Sequence, residues 1–325
     1  MTWNRRFFLH GLAATFCLGS TGMALGQTAS WPTKPVRLLV GFPAGSTPDS
    51  SARALAEGLS AVLGQSVIVE NRPGASGNLA ADLVAKAQDD HTLGVVINGN
   101  LTSARMLNPN LSYDPARDFT FLSLLTTAPL ALVARADLPE GTAFLEAAVQ
   151  QGDRWNYGSV GAGSVAHLGM EQLKLKVPGL KPVHVPYQGN PAVITALLGG
   201  QIHMALVPPG LAMPHVKTGR LHVIGLTGGR STLVPELGAL SEIGVKQFNL
   251  EVWTALIGPA QLSKAAQQRL AQEVPAVVRS ATTHQRLFTQ GWNAVGSSPE
   301  GLRRRVADES AILGGIIRSA NIKTE

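Results

Sequence analysis

Two stretches of this chain carry glycine, serine and threonine where an apolar strand gives way to an amphipathic helix. The first reads Pro35-Val-Arg-Leu-Leu-Val-Gly-Phe-Pro-Ala-Gly45-Ser-Thr-Pro-Asp49-Ser-Ser-Ala-Arg53. The second reads Trp155-Asn-Tyr-Gly158-Ser-Val-Gly161-Ala-Gly163-Ser-Val-Ala-His167-Leu. The leading N–H groups of a helix have no intrahelical acceptor and carry partial positive charge, so such ends favour an anion. Two of them facing each other across a cleft would hold a small carboxylate. Ser46, Thr47, Ser159 and Ser164 add hydroxyls, and Gly163 and Ser164 add amides. Asp49 is read either as the N-terminal cap of its helix or as a ligand contact. His167, in the first turns of its helix, either packs or caps there or faces the cleft. Asn98-Gly-Asn100-Leu-Thr102-Ser103 follows another strand and reads as a polar, turn-prone tip, either a surface loop or a contact for the far end of a ligand. Val207-Pro208-Pro-Gly-Leu211 ends a further strand and could supply wall atoms.

Other chemistries find less support. Gly161-Ala-Gly163-Ser-Val-Ala166 fits the dinucleotide pattern G-x-G-x-x-A, but the next strand, Val183-His-Val-Pro-Tyr-Gln-Gly189, lacks the acidic residue that would hold a ribose. The eight histidines show no metal-binding spacing. There is no G-x-S-x-G, no P-loop and no acid pair, and serine, histidine and aspartate in no particular order do not make a triad. No cofactor is expected. The rival to a binding protein is a cleft enzyme, such as a dehydrogenase or acyl-transfer enzyme, and the missing ribose acid and nucleophile motif argue against it.

The elements that must position these residues alternate. Apolar runs give strands at Val36–Val40, Val67–Val69 and Leu93–Ile97. Between them lie a helix with Ala52, Leu55, Ala56, Leu59, Val62 and Leu63 on one face, stopped by Gly64, and another over Asn78–Ala87. This order implies a parallel sheet with right-handed crossovers. Leu130–Ala134 forms a strand leading into the polar link Asp137–Gly141, where the first domain crossing is expected. A second block follows. It has helices at Thr142–Gln151 and Ser164–Lys176, strands at Trp155–Tyr157 and Val183–Val185, a helix capped by Asn190 with Pro191 in its first turn, and strands at Ile202–Val207 and Val223–Leu226. The chain returns near Gly244–Leu250 to a strand at Val252–Ile257 and three closing helices around 263–280, 283–290 and 299–319.

The 325 residues include 27 Lys and Arg and 21 Asp and Glu, for a net charge of +6. Arg5 and Arg6 supply two of these, leaving +4 on the remainder. The basic residues are scattered without interleaved aromatics, so no nucleic-acid partner is expected. Aromatics make up 5% of the chain, so the core must come from Ala, Val, Leu and Ile. The single cysteine, Cys17, falls in a leader that reads as a signal peptide over residues 1–26. Asn4-Arg-Arg-Phe-Phe-Leu9 is similar to the twin-arginine export consensus, with general secretion as the alternative route. Ala24-Leu-Gly26 predicts cleavage after Gly26.

These stretches also carry a resemblance. Trp31-Pro-Thr-Lys-Pro-Val-Arg37, Phe42-Pro-Ala44-Gly45 with Asp49 and Ala52-Arg53, and Gly64-Gln-Ser-Val-Ile-Val-Glu-Asn-Arg-Pro-Gly-Ala-Ser-Gly-Asn78 resemble the Bug (TctC-like) family of periplasmic solute-binding proteins. So do Tyr113-Asp-Pro115, Asp118-Phe119, Tyr157-Gly-Ser159, His167-Leu168, Val185-Pro-Tyr-Gln-Gly189 and Leu198-Gly-Gly-Gln201. The resemblance implies an α/β, two-lobed type II periplasmic binding protein fold, with a ligand cleft between two parallel or mixed-sheet lobes. Lobe 1 would span 27–136 and 248–325, and lobe 2 137–247. It also implies a monomeric, non-enzymatic periplasmic protein that captures a small organic carboxylate and delivers it to the membrane subunits of a tripartite tricarboxylate transporter. Presentation of the ligand to a membrane sensor is the alternative output. Phe42, Ala44, Ser46, Thr47, Asp49, Asn98, Asn100, Ser159, Gly163, Ser164, His167 and Pro208 are the expected binding residues. The family usually has two glycines where this chain has Gly45-Ser46, so a side chain is added at the pocket.

Overall fold

The computed structural model describes residues 31–322; the leader, Arg5, Arg6, Cys17 and the expected cleavage point lie outside them. Two mixed sheets organise the chain, each flanked by helices. In order, the first block runs β1 (Val36–Val40), α1 (Thr47–Leu63), β2 (Val67–Asn71), α2 (Asn78–Ala85), β3 (Thr92–Ile97), α3 (Asn98–Leu101), α4 (Ser103–Leu107) and β4 (Phe119–Pro129). The second runs β5 (Ala131–Arg135), α5 (Gly141–Gln151), β6 (Asn156–Ser159), α6 (Val165–Lys176), β7 (Val183–Pro186), α7 (Asn190–Leu198), β8 (Met204–Val207), α8 (Pro209–Lys217) and β9 (Leu221–Leu226). β10 (Glu251–Pro259), α9 (Lys264–Arg279), α10 (Ala281–Thr289), β11 (Asn293–Ala294) and α11 (Pro299–Ser319) complete the chain.

The first sheet has the order β11-β4-β10-β3-β1-β2 and the second β7-β6-β8-β5-β9. β1 is parallel to β2 and β3, as the alternating pattern implies, whereas β10 is antiparallel to both β3 and β4. β3 is buried throughout, the signature of a strand covered on both faces, and β1, Val-Arg-Leu-Leu-Val, is apolar and buried except at Arg37, which pairs with Glu70. α1 buries Ala52, Leu55, Ala56, Leu59 and Leu63, while Val62 of the same run faces solvent. It stops at Gly64, whose left-handed conformation returns its amide to Ser60. Ala, Val, Leu and Ile fill most of the core, joined by Trp253, Tyr157 and Phe144.

Three expectations are corrected. The strand at Ala131–Arg135 pairs with β8 and β9 of the second sheet, so the chain changes sheets at Leu130 and not in the Asp137–Gly141 link. The eleven-residue β4 ends at Pro129, one residue earlier, and that proline alone marks the change. The Asn98–Ser103 segment is neither a surface loop nor a turn-like tip. It is helical and buried, because Asn100 accepts the Ile97 amide (3.2 Å) and Asn98 donates to Glu309 (2.7 Å) and to the Glu251 carbonyl (3.1 Å). Asn190 is not the cap of α7: Gly189 occupies that position, and Asn190 is already inside the helix.

Where the chain passes between sheets, one side chain ties both crossings. The buried Thr227 hydroxyl accepts the Leu130 amide (2.9 Å) and donates to the Leu250 carbonyl (2.6 Å).

Candidate functional site

The loop after β1 turns through Gly45, which has a positive φ, into Ser46, the N-cap of α1. Ser46 makes no side-chain cap bond; the residue is 1% exposed and its Oγ is buried without a partner. The usual capping acceptor is replaced by Asp49, one turn inside the helix, which accepts the Gly45 amide (2.9 Å), Arg53 Nε (3.0 Å) and Asn71 Nδ2 (2.9 Å). Burial alone would raise the Asp49 carboxyl, but these hydrogen bonds and the Arg53 charge outweigh it and hold the group below its ordinary value. Both Asp49 oxygens are thus spent on shaping the loop. Pro48 has no N–H, which leaves the Thr47 amide at the tip of α1.

The loop after β6 has the same outline and a different wiring. Ser164 is the N-cap of α6 and its Oγ accepts the His167 amide (3.2 Å). The Gly163 amide donates to His167 Nδ1 (3.1 Å), and the Ser164 amide to the Gly161 carbonyl (3.2 Å). The two amides singled out in the sequence as anion donors are therefore engaged within the loop. Those of Val165 and Ala166, next along α6, take their place as the unbonded N–H groups of the first turn. Ser159 bonds the Gly161 amide (3.1 Å) and His184 Nε2 (2.7 Å). The His184 ring stacks on His167 (centroids 4.2 Å apart) and on Tyr157 (5.0 Å), whose hydroxyl donates to Glu171 (2.6 Å). Burial pushes His167 below its ordinary value, and burial with the neighbouring His167 brings His184 down to about 4. Both rings are uncharged at neutral pH.

The starts of α1, α6, α7 and α8 converge on a cavity of about 30 Å³ between the two sheets. Phe42, Ser46, Thr47, Ser164 and Pro208 of the expected residues line it, with Val165, Ala166 and Asn190. Asn190 Nδ2 donates to Thr47 Oγ1 (3.1 Å), and Ser103 Oγ donates to the Gly163 carbonyl (2.6 Å), so the seam between the sheets is bonded on two sides. An adjoining groove of about 700 Å³ shares Ile97 and Ser164 with the cavity and is lined by Asn100, Gly163 and His167. The other expected residues line neither space. Ala44 is exposed, Asp49 supports the loop from behind, Asn98 is held by Glu309, and Ser159 bonds within its own loop. Gly189 and Asn190 were missed, although Gly189-Asn-Pro after β7 repeats the strand–glycine–helix signature that pointed to the first two loops.

No Asp, Glu, Lys, Arg or His lines the cavity; its polarity comes from backbone and hydroxyl groups. Among the described residues no group of His, Cys, Asp and Glu could hold a metal ion, and no helix is long and apolar enough to cross a membrane. The arrangement can desolvate an anion and surround it with oriented donors.

Comparison with known proteins agrees with this geometry. A UPF0065 protein from the TAR-I ttuE-ttuC' intergenic region of Agrobacterium vitis is 31% identical over 90% of this chain and 86% of its own length. The R. palustris protein Rpa4515, solved with adipate, superimposes with a TM-score of 0.86 at 29% identity, over 90% of this chain and 99% of its own. MatC from Rhodopseudomonas palustris, solved with bound malate, gives 0.83 at 28% identity, over 88% and 100%. The profile of the tripartite tricarboxylate transporter family receptor matches residues 51–322. With that match across most of its length, this two-lobed periplasmic binding protein belongs to the tripartite tricarboxylate transporter receptor family.

Proposed function

We propose that this chain captures a small organic carboxylate in the cavity between its sheets and delivers it to the membrane subunits of a tripartite transporter, without catalysis. The observation that carries this reading is the buried, unpartnered Ser46 hydroxyl, set among helix starts in a cavity with no charged side chain. The relatives solved with adipate and malate support the ligand class. In this reading residues 31–129 and 251–322 form one lobe and 131–249 the other. They swing about Leu130 and Leu250 to close on the ligand, as in hinge closure generally. The leader would direct export and be removed near Gly26.

A carboxylate held this way draws on charge-assisted hydrogen bonds of about 1.5–3 kcal/mol each. Each helix end adds roughly 0.3–1 kcal/mol. Together these reach the ~8 kcal/mol of a micromolar complex after ordering costs. Fixed dipoles in a buried site are screened little, so affinity should change only weakly with salt. Titration calorimetry of the purified protein against a carboxylate series at low and high salt tests the reading. Micromolar binding that persists in high salt is expected. Absence of binding by every carboxylate, or a steep loss with salt, would overturn it.

A further inference from the structure

One buried acid lies outside the cavity and the groove and yet holds part of their wall. Glu309 of α11 is 6% exposed and lines neither the cavity nor the Asn100–His167 groove. Taking a carboxylate out of water is costly unless donors replace the water. Three do so here: Asn98 Nδ2 (2.7 Å), Trp253 Nε1 (2.5 Å) and Arg305 Nε (3.2 Å). Two of them stand next to cavity residues, Asn98 after Ile97 and Trp253 after Val252. Ile97 pairs with Thr254 across β3 and β10, so Glu309 ties two neighbouring strands where they reach the cavity.

The segment after Asn98 needs such a tie. α3 has four residues and α4 five, too few for either helix to hold itself. The Asn98 carbonyl accepts the Thr102 amide (3.1 Å) and the Thr102 hydroxyl (2.7 Å), which fixes the bend between the two helices. The next residue, Ser103, is fully buried and donates across the seam to the Gly163 carbonyl (2.6 Å). A line of bonds thus runs from Glu309 through Asn98 and Thr102 to a contact that joins the two sheets. Asn100 anchors the segment on its other side, donating to the Ser76 carbonyl (3.0 Å) and to Asn78 (2.8 Å). Loss of the Glu309 tie therefore loosens one end of the segment and leaves the other held.

We infer that Glu309 is a positioning residue for solute capture: without touching the ligand, it sets the Asn98–Ser103 segment so that Ser103 meets Gly163 in the closed cleft, and thereby governs how fast a bound solute escapes. The inference rests on the carboxylate reading above and adds to it a residue outside the pocket.

Two measurements test it. Glu309→Gln keeps the shape but places an NH2 group among donors, and Asn98→Ala cuts the same tie from its other end. In hydrogen exchange on the ligand-free protein, both variants should lose about 10-fold of the protection at the Thr102 amide, with the amides of α1 unchanged. The second measurement is the release rate of malate, succinate and adipate by stopped flow. The acid that binds best should leave Glu309→Gln roughly 10-fold faster, with its association rate little altered. Ser103→Ala should speed release by a similar factor, and the Glu309→Gln/Ser103→Ala double variant should be no faster than the faster single one. Release factors that multiply to about 100-fold would show that Glu309 acts by a route other than Ser103, and would overturn the inference. Unchanged Thr102 exchange, or unchanged release, in folded Glu309→Gln would overturn it as well. If none of the three acids binds the unaltered protein, the carboxylate reading is what has failed and the retention role falls with it; the ligand-free exchange then decides the anchoring by itself.

Discussion

The loops after β1 and β6 look alike in sequence and are held by opposite means. A carboxylate, Asp49, gathers the first: it takes the Gly45 amide and is itself balanced by Arg53 and Asn71. A neutral imidazole, His167, gathers the second, accepting the Gly163 amide on Nδ1. The capping hydroxyls differ in the same sense. Ser164 Oγ accepts the His167 amide of its helix, whereas Ser46 Oγ makes no bond because Asp49 already supplies the local acceptor. Ser46 therefore keeps its proton and both lone pairs unbonded, whereas Ser164 has given one lone pair to its helix and keeps its proton.

The largest expected effect comes from exchanging these supports. Asp49→Ala strands the Gly45 amide and removes one partner each from Asn71 and the half-exposed Arg53, and should cost about 3 kcal/mol of stability by chemical denaturation. His167→Ala removes one neutral acceptor and should cost about 1–2 kcal/mol. Equal losses would show that the charge in the first loop has no special weight.

The glycines sharpen the contrast next. A Cβ on Gly161 would lie 2.0 Å from Ser76 Oγ, on the far side of the seam, whereas one on Gly45 meets nothing within 4 Å. Gly161→Ala should weaken ligand binding by up to ~100-fold, because overpacking opposes closure. The Gly161→Ala/Ser76→Gly double variant should recover most of that loss. Gly45→Ala pays only for its left-handed backbone, about 1–2 kcal/mol of stability. Binding by Gly161→Ala that matches the unaltered protein would mean that the loops do not meet when ligand is held.

Acidification gives the smallest effect and separates the loops by pH. His184 titrates near 4 when folded and near 6.5 when unfolded, so the unfolded chain binds more protons between those values. Its contribution is complete above about pH 6.5 and is lost as pH falls toward 4; His167, also lowered, acts in the same direction. The lowered Asp49 keeps its contribution until pH falls below its ordinary 3.8. Melting temperature should therefore decline from pH 6.5 to 4.5, with the Gly163 amide losing hydrogen-exchange protection before that of Gly45. A His184→Gln variant with the same slope would assign the decline elsewhere.

Much of the fold was legible because its strands are continuous apolar runs bounded by glycine: Val36–Val40 is recovered residue for residue. β4 was not, since Phe-Thr-Phe-Leu-Ser-Leu-Leu-Thr-Thr-Ala-Pro mixes hydroxyls into a buried strand and runs through Leu130 into the next sheet with only Pro129 at the change. The burial of Asn98 was equally hidden, because its partner Glu309 lies 211 positions away on α11. The two glycine loops at the starts of α1 and α6 could be found from local pattern alone. Which of their amides stay free could not, because that depends on the His167 ring folding back on Gly163 and the Asp49 carboxylate folding back on Gly45.

In the hinge motion proposed above, the Thr227 clamp would determine how a solute gets in. Because one hydroxyl bonds Leu130 and Leu250, bending either crossing strand without the other breaks a buried bond costing about 1–3 kcal/mol, so the easy movement is a single rotation about that pair. Leu130 also lines the cavity, which puts the binding position on the short arm of the lever and the Ser103–Gly163 contact on the long one. In the proposed motion a modest turn would part the rim widely while barely disturbing the walls around Leu130 and Val252. The doorway would then be the groove between Ser76, Asn108 and His184, and a solute would reach the helix starts from the outside edge of a wedge.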